Sequence, residues 1–375
     1  MKIIILLRIL WTGGAQKIAI EEAKVLKKMG HDVRLIFLRE APSGKYLYDN
    51  LKGIDWEIFS RKSPSMFYSA ITGHFVPDRK GEGTVDYDLI KQFAKKIISE
   101  KGVDYIICHD QFSGIAGYKI KKITGIPYSV FIHERVNGYP EHLILGKLAR
   151  YMEKKVLIQA NAIFAVTEAV SESIKKVYSI NSVPDFPGIE LESCETLDAR
   201  EDILLAVSVW DRDRDPTFYL PVLSKTDSFK LIVAGRWRDD VLFKQFNQRI
   251  KASGLNNRVT LIENFDDNTL KSLYRKSKFS IRYGIDEYGP GMSNIEALGL
   301  CTPIIVYGGL GISDLVSKYG IGFVSKDWNA GEISSYILEN KQVENYNAIQ
   351  GRIRKFSSIY TWDRHANTLL SFKVN

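Results

Sequence analysis

Residues 286–303 read DEYGPGMSNIEALGLCTP, and the next residues, PIIVY at 303–307, form an apolar run. The glycines break the chain ahead of a short helix that carries Glu296 in its first turn, and a buried strand follows at once. Loop, helix and buried strand in that order make one step of an alternating α/β chain. A helix N-terminus behind glycines offers unpaired backbone N–H groups and the positive end of a dipole, a combination suited to phosphate. Glu296 stands where its carboxylate could accept both hydroxyls of a ribose, while the N–H groups of Gly291, Met292 and Ser293 hold the attached phosphates.

The same alternation extends in both directions. Residues 3–7 are a continuous apolar run, the mark of a strand buried on both faces. Gly13-Gly14 breaks the chain, and a helix is expected over 15–29, with Ala15, Ile18, Ala19, Ala23 and Leu26 on one face. Gly30 stops it, and 33–38 is the next strand, completing a βαβ unit. Further strands are expected over 103–108, 128–133 and 162–166. After a mixed stretch at 182–200 with Pro184, Pro187 and Gly188, a second series runs over 203–209, 231–234, 259–262, 279–282, 304–307 and 322–324. This predicts an α/β chain of two doubly wound, Rossmann-like domains facing each other across a cleft, where ligands meet the carboxyl ends of the strands. The expected divisions are 1–185, 186–355, and a helix in 356–375.

Length and composition agree with two globular domains: 375 residues with 45% hydrophobic content exceed one ordinary core. No apolar run approaches the roughly 20 residues of a membrane helix. Arg8 interrupts the apolar start and no small-residue cleavage site follows, so the start reads as a strand and not a signal peptide. Cys108, Cys194 and Cys301 are far apart and odd in number, which implies neither a disulfide framework nor a zinc site and suits a cytoplasmic protein. The histidines lack metal spacing, so no metal is expected. A net charge of +8 favours anionic partners, but the basic residues are dispersed among acids and match no nucleic-acid module. Nicotinamide binding is disfavoured because no third glycine follows Gly13-Gly14. A Ser-His-acid nucleophile elbow is also missing, which disfavours a hydrolase.

The acid, glycine, acid and Ala-Leu-Gly of 286–303 resemble the nucleotide-sugar signature of glycosyltransferase family 4, whose members have the two-domain GT-B architecture. Gly291, Glu296, Ala297, Gly299, Thr302 and Pro303 fit its second half. The first acid's place holds Tyr288, and an insertion at Gly289-Pro290 would bring Glu287 to that role. Gly13-Gly14-Ala15-Gln16 is similar to the family's glycine-rich loop, and 161–168, 265–274 and 308–314 fall in familiar places. The family's last helix crosses back onto the first domain, a role that 360–372 would take.

The resemblance implies a retaining, metal-independent, hexosyltransferase-like enzyme of glycan biosynthesis that needs no cofactor beyond its nucleoside-diphosphate sugar. His133, ending an apolar strand, matches the family histidine that contacts the donor sugar, and Glu287 would share that task. The Gly14 loop would close over the reacting centre. Arg214 matches the family lysine on the diphosphate, and Arg212 replaces the family arginine where Ser208-Val209 stands instead of Gly-Arg. Gly13, His109 and Asp110 are candidates on the acceptor side. Each motif has a plainer reading: a structural glycine turn, a strand-capping histidine, a solvated charged loop. Two other functions stay open, a nucleotide-sugar epimerase and a non-catalytic nucleotide-sugar-binding subunit. The acceptor is expected to be a glycan or a lipid-linked sugar. Residues 60–75, SRKSPSMFYSAITGHF, set cations beside aromatics and suggest peripheral, salt-sensitive attachment to the inner face of the cell membrane.

Overall fold

The computed structural model describes residues 1–60, 87–136 and 144–372. Residues 61–75 of the expected membrane segment therefore lie outside the described residues. Two compact units emerge: Met1–Pro187 with Trp362–Asn375, and Gly188–Thr361.

Unit 1 opens with β1 (Lys2–Leu10), α1 (Gly14–Lys28) and β2 (Asp32–Glu40). It continues through β3 (Asp55–Ile58), α2 (Tyr87–Ser99), β4 (Tyr105–His109), α3 (Ser113–Thr124) and β5 (Tyr128–Ile132). Next come α4 (Ile144–Gln159), β6 (Ala162–Ala165), α5 (Glu168–Tyr178) and β7 (Val183–Pro184). The strands form one sheet in the order β3-β2-β1-β4-β5-β6-β7, and every neighbouring pair is parallel. In β1, Ile5 lies between Leu35 and Ile107, and Ile3 to Leu6 are completely buried. Burial on both faces explains why the strand is an unbroken apolar run. The short strand β3 was not expected, since its sequence, DWEI, is partly polar and only half-buried. In β7, Pro184 can sit in the sheet because the strand is an edge. The helix α1 buries Ile18, Ala19, Ala23 and Leu26 of its expected apolar face together with Gln16 and Glu22, two residues whose polar side chains would by themselves favour solvent.

Unit 2 begins with β8 (Glu201–Val207), α6 (Leu220–Leu223), β9 (Lys230–Ala234), α7 (Asp240–Ala252) and β10 (Val259–Ile262). There follow α8 (Asp267–Lys276), β11 (Ser277–Arg282), α9 (Met292–Gly299) and β12 (Ile304–Tyr307). The unit ends with α10 (Ser313–Tyr319), β13 (Gly322–Ser325), α11 (Ala330–Asn340) and α12 (Val343–Ile359). A final helix, α13 (Trp362–Ser371), belongs to unit 1. The second sheet is also parallel, in the order β10-β9-β8-β11-β12-β13. Leu204 on β8, Phe279 on β11 and Ile305 on β12 meet Trp210, Tyr219 and Phe229 in the core.

Arg200 fixes α9 relative to β11. It is buried and donates to the carbonyls of Tyr274 (3.0 Å), Ser277 (2.8 Å) and Leu300 (2.8 Å) and to Thr302 Oγ1 (2.9 Å). One guanidinium thus satisfies carbonyls at the ends of α8 and α9 that helix geometry leaves unpaired. The cysteine expectation needs correction: Cys194 and Cys301 are disulfide-bonded, with Cα atoms 4.9 Å apart. They lie 107 residues apart in sequence, and that separation says nothing about the fold placing the 188–200 segment beside the end of α9.

Candidate functional site

In unit 2 the candidate site gathers at the carboxyl ends of β8 and β11 and the start of α9. Gly291 precedes α9 with φ 71°, a backbone conformation that favours glycine, and Asn294 N–H returns to its carbonyl at 2.9 Å. The helix therefore starts abruptly, and the N–H groups of Met292 and Ser293, at its first two positions, have no intrahelical acceptor. Glu296 is the fifth residue of α9, so it lies in the second turn and not the first as expected. It is half-buried, with its Oε2 3.4 Å from the Tyr274 hydroxyl, which also faces the Ser293 carbonyl at 3.0 Å. Burial and the adjacent Glu296 push the Tyr274 phenol well above its ordinary pKa, so it remains a hydrogen-bond donor.

Glu287 joins two arginines. Arg282, at the end of β11, reaches both of its oxygens from Nη2 at 2.6 and 2.8 Å, and Arg214 Nε contacts Oε1. Burial alone would raise the Glu287 carboxyl, but the two guanidinium groups outweigh it and bring it below the usual carboxylate range. Arg214 also lies 3.4 Å from Asp211, whose other neighbour is Arg238 at 3.7 Å. Arg282 and Arg214 thus face Glu287, and Arg214 and Arg238 face Asp211. Arg212 is not part of it. Its side chain is 86% exposed and pairs with Asp239 at 3.4 Å, beside the start of α7.

In unit 1, Gly13 ends the turn after β1, and a Cβ there would come within 2.6 Å of Gln16 Oε1 and 2.7 Å of the Trp11 indole nitrogen. A side chain at Gly13 would therefore require Gln16 and Trp11 to shift, and α1 begins at Gly14. Asp110 caps α3, with its Oδ1 accepting from the N–H groups of Phe112 (2.9 Å) and Ser113 (2.7 Å). Its other oxygen lies 3.8 Å from Arg8. His109 and His133 meet directly, Nδ1 to Nε2 at 2.8 Å, and His109 Nε2 contacts Glu22 Oε2 at 2.7 Å.

Sequence reasoning missed Arg282, Asp211, Glu22 and His365. Arg282 closes a buried strand, SKFSIR, and Glu22 sits on the buried face of a helix, so a charged residue at a core position was the signal available for each. Among the described residues, no group of three or more His, Cys, Asp or Glu could hold a metal ion. No described helix is long and apolar enough to cross a membrane.

Residues 12–184 match the model described as Glycosyltransferase Family 4, and residues 196–352 match that described as Glycosyl transferases group 1. The chain is similar to the O-antigen chain mannosyltransferase RfbU of Salmonella typhimurium, 27% identical over 183 residues, 48% of this chain and 51% of that protein. The match thus spans about half the length of the curated relative. Anabaena Alr3699/HepE, crystallised with UDP, superposes with a TM-score of 0.76 at 16% identity, covering 99% of this chain and 98% of that one. A glycosyltransferase from Rickettsia africae gives 0.75 at 19% identity, covering 99% and 97%. These likenesses establish two Rossmann-like domains of the GT-B kind.

Proposed function

Because the chain belongs to glycosyltransferase family 4, we propose that it moves a sugar from a nucleoside diphosphate to a glycan or lipid-linked acceptor, with retention at the anomeric carbon and no metal. The observation that carries this reading is the pairing in unit 2 of the Gly291-led helix, which bears Glu296, with two arginines, Arg214 and Arg282, that share one carboxylate. Glu296 would accept the ribose hydroxyls. The N–H groups of Met292 and Ser293 and the Arg214 guanidinium would face the diphosphate. As the bond from the anomeric carbon to the diphosphate oxygen breaks, negative charge grows on the leaving group, and fixed positive dipoles and cations lower that barrier. Glu287 would act through its arginines, which it holds in place, and His133 would meet a hydroxyl of the sugar.

The mannosyltransferase relative and the neighbour crystallised with UDP-glucose make a nucleoside-diphosphate mannose and UDP-glucose the first donors to try. Transfer to a glycan or lipid-linked acceptor is expected to persist in excess EDTA, since arginine and helix N–H groups can meet the phosphate charge. Loss of turnover on chelation, restored by magnesium or manganese, would overturn the metal-free assignment. Donor conversion without acceptor would point instead to epimerisation.

We also propose peripheral attachment to an anionic cytoplasmic leaflet. The described surface that supports this is α4, where Lys147, Arg150, Tyr151 and Lys154 line an open hollow. Tyr151 and Ile158 are 59% and 54% exposed on the same helix, and Lys155 stands over the Tyr118 and Tyr151 rings. Cations near an anionic surface contribute about 1 kcal/mol each, and tyrosines settle at the headgroups. The protein is expected to sediment with phosphatidylserine-containing vesicles at low salt and to be released at high salt. Protein remaining in the supernatant at low salt would remove the membrane from the account and leave the transferase reading intact.

A further inference from the structure

Buried ionisable side chains from separate elements of unit 1 form a continuous line. Asp185, just after β7, places Oδ2 2.8 Å from His365 Nδ1 on α13. His365 Nε2 lies 2.8 Å from Glu22 Oε1 on α1, and Glu22 Oε2 lies 2.7 Å from His109 Nε2 at the end of β4. His109 Nδ1 then meets His133 Nε2 at 2.8 Å. Asp185, Glu22 and His365 are 0% exposed and His109 is 1% exposed. At the near end, His133 Nδ1 is buried without a hydrogen-bond partner among the described residues. At the far end, Arg364 Nη1 lies 2.9 Å from Asp185 Oδ1.

We propose that this line locks His133 in its neutral Nε2–H form, so that Nδ1 can only accept a hydrogen bond and must be met by a hydroxyl of the substrate. Glu22, His109 and His365 are then positioning residues for His133. This rests on the transferase reading for the identity of the substrate, but the tautomer itself does not.

The polarity follows from what each group can do. A carboxylate only accepts, so His109 Nε2 and His365 Nε2 each carry a hydrogen toward Glu22, and His365 Nδ1 stands at ion-pair distance, 2.8 Å, from Asp185. Arg364 and His365 supply two positive charges, and Asp185 and Glu22 two negative ones. The set is balanced with His109 neutral, whereas an additional charge there would be buried and unpaired. With its one hydrogen on Nε2, His109 has a bare Nδ1, which can only accept from His133 Nε2–H. The single hydrogen of neutral His133 is thereby committed, and its Nδ1 presents a lone pair. Burial and the His365 charge hold the His133 imidazole well below its ordinary pKa, in keeping with the neutral ring. A sugar bearing fluorine or a carboxylate at the facing position would set acceptor against acceptor and be refused.

The test is side-chain 15N NMR of histidine-labelled, ligand-free protein at pH 7, with the His133 signals identified by their loss in His133→Asn. The expected result is a protonated Nε2 and a bare Nδ1. A hydrogen on Nδ1, alone or with one on Nε2, would overturn the proposal. In His109→Phe, stacking on Phe131 and His133 (ring centroids 5.7 and 5.0 Å) can persist while the hydrogen bond is lost, so His133 is expected to become a mixture of tautomers. His109→Gln, whose amide can donate to Glu22 and accept from His133, is expected to restore the single form. A pure Nε2–H form in the folded Phe variant would show that His109 is not the cause. If that variant fails to fold, the wild-type spectrum still decides the tautomer. None of these readings needs turnover, so failure here and failure of the transferase reading are separable.

Discussion

Glu296→Ala is expected to weaken nucleotide binding about 30- to 1,000-fold while leaving the protein folded. A carboxylate that accepts two hydroxyl hydrogen bonds from a ribose contributes roughly 2–4 kcal/mol, because bonds to a charged group are stronger than neutral ones. Stability is expected to hold because α9 is anchored elsewhere. Ile295, Ala297 and Leu298 are buried, and Arg200 grips the Leu300 carbonyl at 2.8 Å. The Tyr274 hydroxyl keeps an acceptor in the Ser293 carbonyl at 3.0 Å when the carboxylate is removed, so the truncation does not strand that phenol. Isothermal titration with UDP and GDP reads the affinity, and thermal unfolding reads the fold. Unchanged affinity in a folded variant would remove Glu296 from the ribose site. Glu287 is the neighbouring carboxylate for which this separation fails, since removing it would strand Arg282 and Arg214 together.

The difference between those two glutamates shows what the sequence could reveal. Both stand in 286–303 at positions suited to a ligand, and only coordinates show that Glu287 is already committed to two guanidinium groups. Its partner Arg282 ends a buried strand, SKFSIR, in which Phe279 and Ile281 alternate with Lys278, Ser280 and Arg282, so the arginine reads as one more polar alternate and not as part of the site. The strands themselves were legible. In a parallel sheet covered on both faces, residues such as Ile3 to Leu6 have no polar alternation to blur them. Strands β3 and β7, at the sheet edge, are short and partly polar and could not be read in the same way. Least legible was the line from Asp185 to His133. Its Glu22–His365 contact joins residues 343 positions apart, and each member alone looks like an ordinary polar residue on a helix or at a strand end. The plain reading of His109 as a strand-capping residue falls short for the same reason: its role depends on Glu22 and His133 together.

That same line sets how stability depends on pH. Burial alone would lower the His365 imidazole, but Asp185 and Glu22 outweigh it and lift it from 6.5 to about 9. A histidine raised in the folded state contributes stability that is complete below its unfolded pKa and is lost as pH rises through the folded one. Between pH 6.5 and about 9, therefore, the protein is expected to lose roughly 3 kcal/mol of stability from this contact. The acid side behaves oppositely. Burial would raise Glu22, yet the hydrogen bonds from His109 and His365 and the His365 charge bring it below its ordinary 4.5, so its contribution is present above pH 4.5 and lost as pH falls further. The depressed His133 adds a further loss below pH 6.5, where the unfolded chain takes up a proton that the buried ring refuses. Stability should therefore be highest close to pH 6.5. Glu22 and His365 count one shared contact from its two ends, so their effects are not summed. Urea unfolding of unit 1 can be followed by pulse-labelling Cys108 at a fixed pH, since this thiol is buried and is the one cysteine outside the disulfide. His365→Gln is expected to be less stable than wild type by roughly 3 kcal/mol at pH 6.5, with the difference closing as pH approaches 9. Two curves that stay parallel from pH 6.5 to 9 would mean that His365 carries no buried charge, and the polarity assigned to Glu22, His109 and His133 would lose its source.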